Sequence, residues 1–358
     1  MTVSLAHADA AAVADIAGHP VALRYAGIDA EYSALRRSAM LVDRSHRMRM
    51  TFEGDRRGET VTGLVTNDVA ALAPGSGMYA AALTPRGKII ADVRIFARET
   101  DLLVDVPVRA SAGWLAMVRK YVNPRTTRYA DRSDAIADIG LFGAFARRIV
   151  ASVTDVNAGT LADLAPYAHV VTDLGGTTAF IIRVPDIGVE GYEVMAPVDT
   201  CATLWRSAVE HGAVPAGLDA WDVARIEAGR PEWGVDIDDS TIPQEANFDA
   251  LHAISYTKGC YTGQETVARV HFRGHVNRLL RGLTYPGSAP LPRGAQLFDE
   301  TDKAVGEVRS AAVSPRLGGV AIAMVRREIA PAALVRARWD GGDSSAVVLE
   351  LPFPVDTA

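Results

Sequence analysis

The densest chemistry in this chain lies in the run Lys258-Gly259-Cys260-Tyr261-Thr262-Gly263-Gln264-Glu265. Two glycines around a cysteine give the backbone a tight path, and Gln264, Glu265 and Val267 suit the first turn of a helix or the start of a strand. A thiol near a lysine and near a helix N-terminus ionises more readily, and the thiolate is the form that attacks or binds a metal. A buried cysteine used as a small apolar residue is the commoner role. Both readings stand open for Cys260. The other cysteine, Cys201, sits inside an amphipathic stretch and reads as core.

Directly after this run comes Arg269-Val270-His271-Phe272-Arg273-Gly274-His275-Val276, with basic residues at odd positions and apolar residues or glycine at even ones. In an extended strand side chains alternate, so every cation would share one face. Such a face suits carboxylates, phosphates or an acidic partner, with Arg269 and Arg273 as the anion ligands. A plain solvated face is the alternative. His271 and His275 lack a third metal ligand nearby.

Three further charged residues occupy unusual settings. Asp92 interrupts the apolar run 89–96, and Glu193 does the same ahead of Pro197. A carboxylate inside a strand is costly unless exposed or hydrogen-bonded. Held in a pocket, it can accept two parallel N–H bonds from an amidine-like heterocycle such as a pterin or guanine edge. An edge residue facing water is the alternative for each. Arg225 lies near Glu227 and Arg230, where helical salt bridges also account for the charge.

The elements that must position these groups can be read from spacing. Helices are expected after Asp29, after Gly54-Asp55, through Trp114, Val118 and Tyr121, over 199–210 and from Asp219 to Gly229, with Asp29 and Asp199 or Thr200 as caps. Alternation predicts strands over 47–52 and 89–96. Ordered structure is expected to begin near Val21. The stretch 285–294 reads as a linker or rigid turn. Short apolar runs follow over 295–298, 305–308, 320–325, 333–339 and 346–351, as in a small antiparallel barrel. The fold class is α+β with a β-rich C-terminal module.

Composition sets the frame. The 358 residues suit two or three domains. With 49% hydrophobic and 22% charged residues the chain is far from disorder. A net charge of −6 argues against bulk binding to nucleic acid or anionic membrane. Two cysteines exclude a disulfide framework and an all-cysteine metal site within one chain, and they suit a reducing compartment. No stretch approaches the roughly 20 apolar residues of a spanning helix, and the alanine-rich start lacks a basic leader. A cytoplasmic protein without membrane partners is expected.

The cysteine run, continued by Val267-Ala268-Arg269 and Arg273-Gly274-His275-Val276-Asn277-Arg278, resembles the signature of YgfZ-type folate-binding proteins, which assist iron–sulfur cluster assembly and are related to the glycine-cleavage T-protein, an aminomethyltransferase. Leu41-Val42-Asp43-Arg44-Ser45-His46, Leu64-Val65-Thr66-Asn67-Asp68, Pro85-Arg86-Gly87, Arg225-Ile226-Glu227-Ala228-Gly229 and Thr241-Ile242-Pro243-Gln244-Glu245-Ala246 are similar to the same superfamily. Residues 1–20, small-residue-rich and without apolar period, are expected to be flexible. The resemblance implies a three-lobed fold, with a folate-binding region of mixed sheets and helices around a central channel over 21–276 and a β-barrel as the last lobe over 277–358. It places Asp92 near the reactive folate nitrogens, Glu193 on the pterin ring, Tyr79 and Arg225 in the folate pocket, and Cys260 as the thiol of the motif. The ligand it implies is tetrahydrofolate or another folate derivative.

The chain also departs from the T-protein pattern. Lys88 and Ala91 replace a glycine and an aspartate, Phe96 stands where a pocket tyrosine is expected, and Asp186-Ile187-Gly188 lacks the tyrosine-containing turn. The leading expectation is therefore a tetrahydrofolate-binding factor for iron–sulfur cluster assembly or repair, with Cys260 as thiolate or transient ligand favoured by Lys258 and Arg269. The alternative is an aminomethyltransferase or related demethylase using Asp92. A third is a tRNA-linked protein touching its partner through the basic stretch 269–281.

Overall fold

The structure, a computed structural model, describes residues 9–354. It divides into two compact units. The first comprises the chain up to Leu83 with Ile90–Trp221 and His252–Thr262, and the second comprises Thr84–Ile89, Asp222–Leu251 and the chain from Gly263 onward.

The first unit opens with an antiparallel hairpin of β1 (Ala12–Ile16) and β2 (His19–Arg24). Order therefore begins well before Val21, because the backbone groups of β1 find partners in β2 although its side chains are small. Residues 1–8 of the segment expected to be flexible lie outside the described residues. The remaining elements run α1 (Ile28–Arg37), β3 (Met40–Asp43), β4 (Met48–Glu53), α2 (Arg57–Leu64), β5 (Gly77–Leu83), β6 (Ile89–Ala97), β7 (Asp101–Val106), α3 (Ser111–Tyr121), β8 (Arg128–Asp131), β9 (Ile136–Phe142), α4 (Ala146–Thr154), α5 (Ala158–Ala162), β10 (His169–Asp173), β11 (Thr178–Arg183), β12 (Gly191–Pro197), α6 (Val198–Glu210), β13 (Val214–Pro215) and α7 (Leu218–Glu227). Two expected caps are shifted. Gly27 caps α1 and Pro197 precedes α6, neither through a side chain, while Asp29 and Asp199 sit in the first turns. There an acid still meets the positive end of the helix dipole.

Two sheets form the body of this unit. One has strand order β10-β11-β12-β9-β3-β13, the other β5-β6-β7-β4-β8. Alternation sorts β9 and β12 into two faces. Ala137, Ile139 and Leu141 join Tyr192, Val194 and Ala196 in the apolar core beneath α4 and α6, together with Ile149, Val150, Leu204 and Cys201. Asp138, Gly140, Phe142 and Glu193 face the other way. Gly140 and Gly191 are required here, because a Cβ on either would lie 2.4 Å or 2.1 Å from the Phe142 ring. That ring in turn packs edge-on against Trp221, with centroids 5.1 Å apart.

The second unit contains α8 (Gln264–Arg273) and a closed barrel of β14 (Arg278–Tyr285), β15 (Gln296–Phe298), β16 (Ala304–Ser314), β17 (Gly318–Arg326), β18 (Leu334–Trp339) and β19 (Gly342–Leu349), ordered β14-β17-β16-β15-β18-β19. Its strands pair antiparallel. Val335, Ala337, Ala346 and Val348 point inward with Leu283, Leu297 and Val325. The α+β class and the C-terminal antiparallel barrel are thus as expected. Residues 286–294 join two barrel strands, so this stretch is a rigid turn within a module.

The basic stretch is a correction. Residues 264–273 are helical, started by Gly263 in the left-handed region (φ +85) and ended at Gly274. At about 100° per residue Arg269 and Arg273 share one side while His271 points away. The single cationic face expected of a strand does not exist. Alternation misled because one buried anchor, Val267, suffices to seat a helix whose other side is solvated.

Candidate functional site

In the first unit, β5 and β6 bring two of the expected site residues together. The Tyr79 hydroxyl donates to Asp92 Oδ2 at 3.0 Å, and both residues are buried. Asp92 is therefore no water-facing edge residue. The Tyr79 ring lies nearly parallel to Tyr167, at 18° with centroids 6.4 Å apart. The Tyr167 hydroxyl donates to Asp186 Oδ1 at 2.9 Å. Asp186 Oδ2 lies 3.5 Å from Arg94 Nη1, and that same nitrogen is 2.8 Å from Glu193 Oε2. A line of contacts thus runs from Asp92 to Glu193 through residues of one unit, polar at every link except the Tyr79–Tyr167 ring stack.

Arg94 is the hub. It stands two residues from Asp92 on β6, hence on the same face of the strand. Its Nη2 is 2.6 Å from Asp105 Oδ2, on the residue directly opposite across β7. Arg47 binds the same carboxyl at 2.7 Å, and Arg49 stands 4.0 Å from it. These arginines outweigh the cost of burial and hold the Asp105 carboxyl well below the ordinary aspartate range. Burial has the opposite result at Asp138: desolvation first and nearby Glu193 second raise its carboxyl well above that range. Arg44 lies over the Trp221 ring at 4.1 Å and 3.9 Å from Glu193 Oε1. His46 is driven well below the usual histidine range by burial and by Arg44, Arg47 and Arg49.

Glu193 Oε1 and both Asp138 oxygens are buried and accept no hydrogen bond from any described residue. Orphaned buried acceptors are uncommon and mark places where a donor fits. The N–H edge of a pterin is such a donor, so these residues fit a folate.

Sequence reasoning found Tyr79, Asp92 and Glu193 and missed Arg94, Tyr167, Asp186 and Asp138. Arg94 and Asp138 carried a signal, each being a charge at an alternate position of an apolar strand. Tyr167 carried none; it is a buried tyrosine in the left-handed region (φ +63), placed there by the loop ahead of β10.

Arg225 belongs to the second unit. Its guanidinium contacts Asp222 and Asp236, each at 2.6 Å, with Glu232 at 3.6 Å, and Asp236 also accepts from Ser310 on β16. These partners give it a structural role in that unit.

The cysteine run divides at the same boundary. Gly259 and Cys260 are exposed. Lys258 donates through Nζ to the carbonyls of Thr62, in the last turn of α2, and of Val65 (2.6 Å) and Asn67 (3.0 Å) just beyond it. Its ammonium also lies over the Tyr261 ring at 4.5 Å. All three N–H donors are committed, so Lys258 anchors the loop that carries Cys260. Burial lowers its pKa to about 8. Gln264 and Glu265 open α8 with Gly263, and Arg269 and Arg273 lie further along that helix. The other thiol, Cys201, is buried and pushed up to about 12 by desolvation and then by Asp138.

A two-sheet body with carboxylates held between arginines, followed by a closed antiparallel barrel, defines a class of two-module proteins. Residues 3–255 match the family model described as GCVT N-terminal domain, and residues 278–354 match the glycine cleavage T-protein C-terminal barrel domain. The chain belongs to the glycine-cleavage T-protein family. It is 31% identical to the aminomethyltransferase of Rubrobacter xylanophilus, over 96% of this chain and 90% of that protein. It is 29% identical to the aminomethyltransferase of a Nostoc species, over 94% and 90%. The crystal structure of the glycine cleavage system aminomethyltransferase T from Bartonella henselae superposes with a TM-score of 0.87, covering 97% of this chain and 95% of that one at 23% identity. These names favour the aminomethyltransferase alternative over the iron–sulfur reading that the cysteine motif put first. Among the described residues no helix is long and apolar enough to cross a membrane, and no cluster of three metal-ligating side chains occurs.

Proposed function

We propose that this chain binds a reduced folate and takes part in moving a one-carbon unit onto it, as an aminomethyltransferase or a related one-carbon transferase. The observation that carries this reading is the line of contacts from Asp92 to Glu193, polar apart from the Tyr79–Tyr167 stack, ending on a buried carboxylate that is ion-paired with Arg94 and accepts no hydrogen bond among the described residues. Glu193 would accept N–H bonds from the pterin. Asp92, held by Tyr79, would stabilise positive charge or relay a proton at Oδ2 beside the reacting nitrogens. When bound, the folate supplies the nitrogens that take up the carbon unit. Calorimetric titration with tetrahydrofolate tests the reading on wild type and Glu193→Gln. Binding that weakens at least tenfold in the variant supports it, and absence of binding to wild type removes it. Purified protein with an aminomethylated lipoyl carrier then either forms methylenetetrahydrofolate or does not.

A second reading rests on Cys260. An exposed thiol on a loop pinned by a half-buried lysine suits a folate-binding accessory factor that meets iron–sulfur client or assembly proteins. One thiolate cannot build a cluster site, since clusters normally take four, so such contact would be shared or transient. Cells carrying Cys260→Ser, assayed for cluster-dependent enzymes under oxidative stress, decide it; normal activities would exclude the thiol role. A tRNA partner loses its main support with the single cationic face. A gel shift weakening steeply with salt would restore it.

A further inference from the structure

We propose that Asp138 is a second recognition carboxyl of this site, standing as a neutral acid beside the ion-paired Glu193, so that together they present a donor and an acceptor to a ring edge with N–H next to C=O. The inference rests on the folate reading and names the edge of the ring that is read.

Glu193 is opposite Gly140 and Met195 opposite Asp138 in the register of β12 with β9, which makes Asp138 and Glu193 diagonal neighbours on one face. Both side chains are fully buried. The cation between them is already committed: Arg94 Nη1 lies 2.8 Å from Glu193 and Nη2 2.6 Å from Asp105, whereas Asp138 Oδ2 is 3.8 Å from Nη2. Asp138 thus has a carboxylate beside it, no hydrogen-bond donor among the described residues and only a distant share of one arginine. Two desolvated carboxyls in this arrangement keep a proton on one of them. The groups around Asp138 are Glu193 on β12, Arg94 on β6, Arg49 on β4, Asp105 on β7 and Cys201 on α6. Their net effect raises the Asp138 carboxyl.

A neutral carboxylic acid donates a hydrogen bond where a carboxylate can only accept. With Glu193 Oε1 taking an N–H and the Asp138 hydroxyl giving to a carbonyl, the complementary ligand is a lactam edge. A ring with an amino group in place of that carbonyl sets a donor against the Asp138 hydroxyl and also lacks the neighbouring ring N–H that Glu193 accepts, so the two carboxyls select the lactam together. Asp138 would therefore be a specificity-determining residue that separates 4-oxo from 4-amino pteridines.

The test compares tetrahydrofolate with tetrahydroaminopterin, its 4-amino counterpart, by calorimetry on wild type, Asp138→Asn and Asp138→Leu. Wild type is expected to prefer the 4-oxo ligand at least tenfold. Asp138→Asn, which keeps a neutral donor, should retain that preference, and Asp138→Leu, which leaves only the share due to Glu193, should reduce it at least fivefold. Retention of the preference in Asp138→Leu, or its loss in Asp138→Asn, overturns the proposal while leaving folate binding intact. A ligand-free measurement runs beside it: the infrared band of a protonated carboxyl should be present in wild type at neutral pH and absent from Asp138→Asn. Identical spectra overturn the neutral acid whatever binds. If neither ligand binds, the folate reading falls and the lactam assignment falls with it.

Discussion

Arg94 Nη1 lies 2.8 Å from Glu193 Oε2, joining β6 of one sheet to β12 of the other inside the first unit. Both side chains are buried, so the pair is not screened by solvent as a surface bridge would be. It ties one oxygen of the candidate pterin-binding carboxylate and leaves the other without a donor. The same arginine holds Asp105, so ligand chemistry and folding stability depend on one residue.

Removing that residue should be costly. Among the described residues, Arg94→Met leaves the stranded Glu193 only Arg44, 3.9 Å away, and takes one of three arginines from Asp105; breaking a buried pair by deleting one partner costs about 3–5 kcal/mol. Urea unfolding should show this loss. The double variant Arg94→Met with Glu193→Gln should recover part of it, because one stranded charge is then absent. Equal stability of the single variant and wild type would contradict the buried pair.

The two thiols should separate cleanly. Cys260 is exposed, whereas Cys201 is buried and has its thiol pushed up to about 12. A disulfide-exchange reagent at pH 8 should label one thiol in native protein and two in denaturant. Cys260→Ser should leave no fast-reacting thiol, and a residual fast phase would show that Cys201 is accessible.

Lys258 predicts an alkaline signature. Its folded pKa is lowered from 10.5 to about 8 by burial, so between these values the unfolded chain binds more protons than the native one. Stability from this group therefore rises as pH climbs from about 8 to 10.5. Lys258→Met should remove that rise from a pH series of unfolding curves. It also deletes the bonds to Thr62, Val65 and Asn67, so the loop carrying Cys260 should become more susceptible to proteolysis.

Asp138 predicts the reverse slope. Its folded pKa lies above the unfolded value of 3.8, so the native state binds the extra proton and stability falls as pH rises through that window. An amide in its place does not titrate and carries no such loss, so Asp138→Asn should gain on wild type by at most about 1.4 kcal/mol per pH unit above pH 4. Thermal melts from pH 4 to 8 measure it; a constant difference across the series would place an ionised carboxyl at this position.

Much of the architecture was legible because local patterns coincide with global demands. Alternation along 89–96 and the short apolar runs after residue 295 specify strands that must bury one face, and the barrel follows. Asp92 and Glu193 stood out because a charge inside an apolar strand is costly enough to need a reason. The helix at 264–273 was not legible as such, since its alternating charges match a strand. What decided it was the left-handed turn at Gly263 and the burial of Val267.

The sequence by itself determined most of the element classes and the barrel, and it singled out Asp92 and Glu193 as charges inside apolar strands, all of which depend on neighbours a few residues apart. Only the tertiary structure decided their electrostatics. Whether Asp105 stays charged or Asp138 keeps its proton depends on which arginines reach them from other strands. Arg47, Arg49 and Arg94 come close to the first, and among the described residues only Arg94, at 3.8 Å, forms an ion pair with the second. Charge interaction in a low-dielectric interior changes steeply over such distances, and no spacing along the chain encodes them.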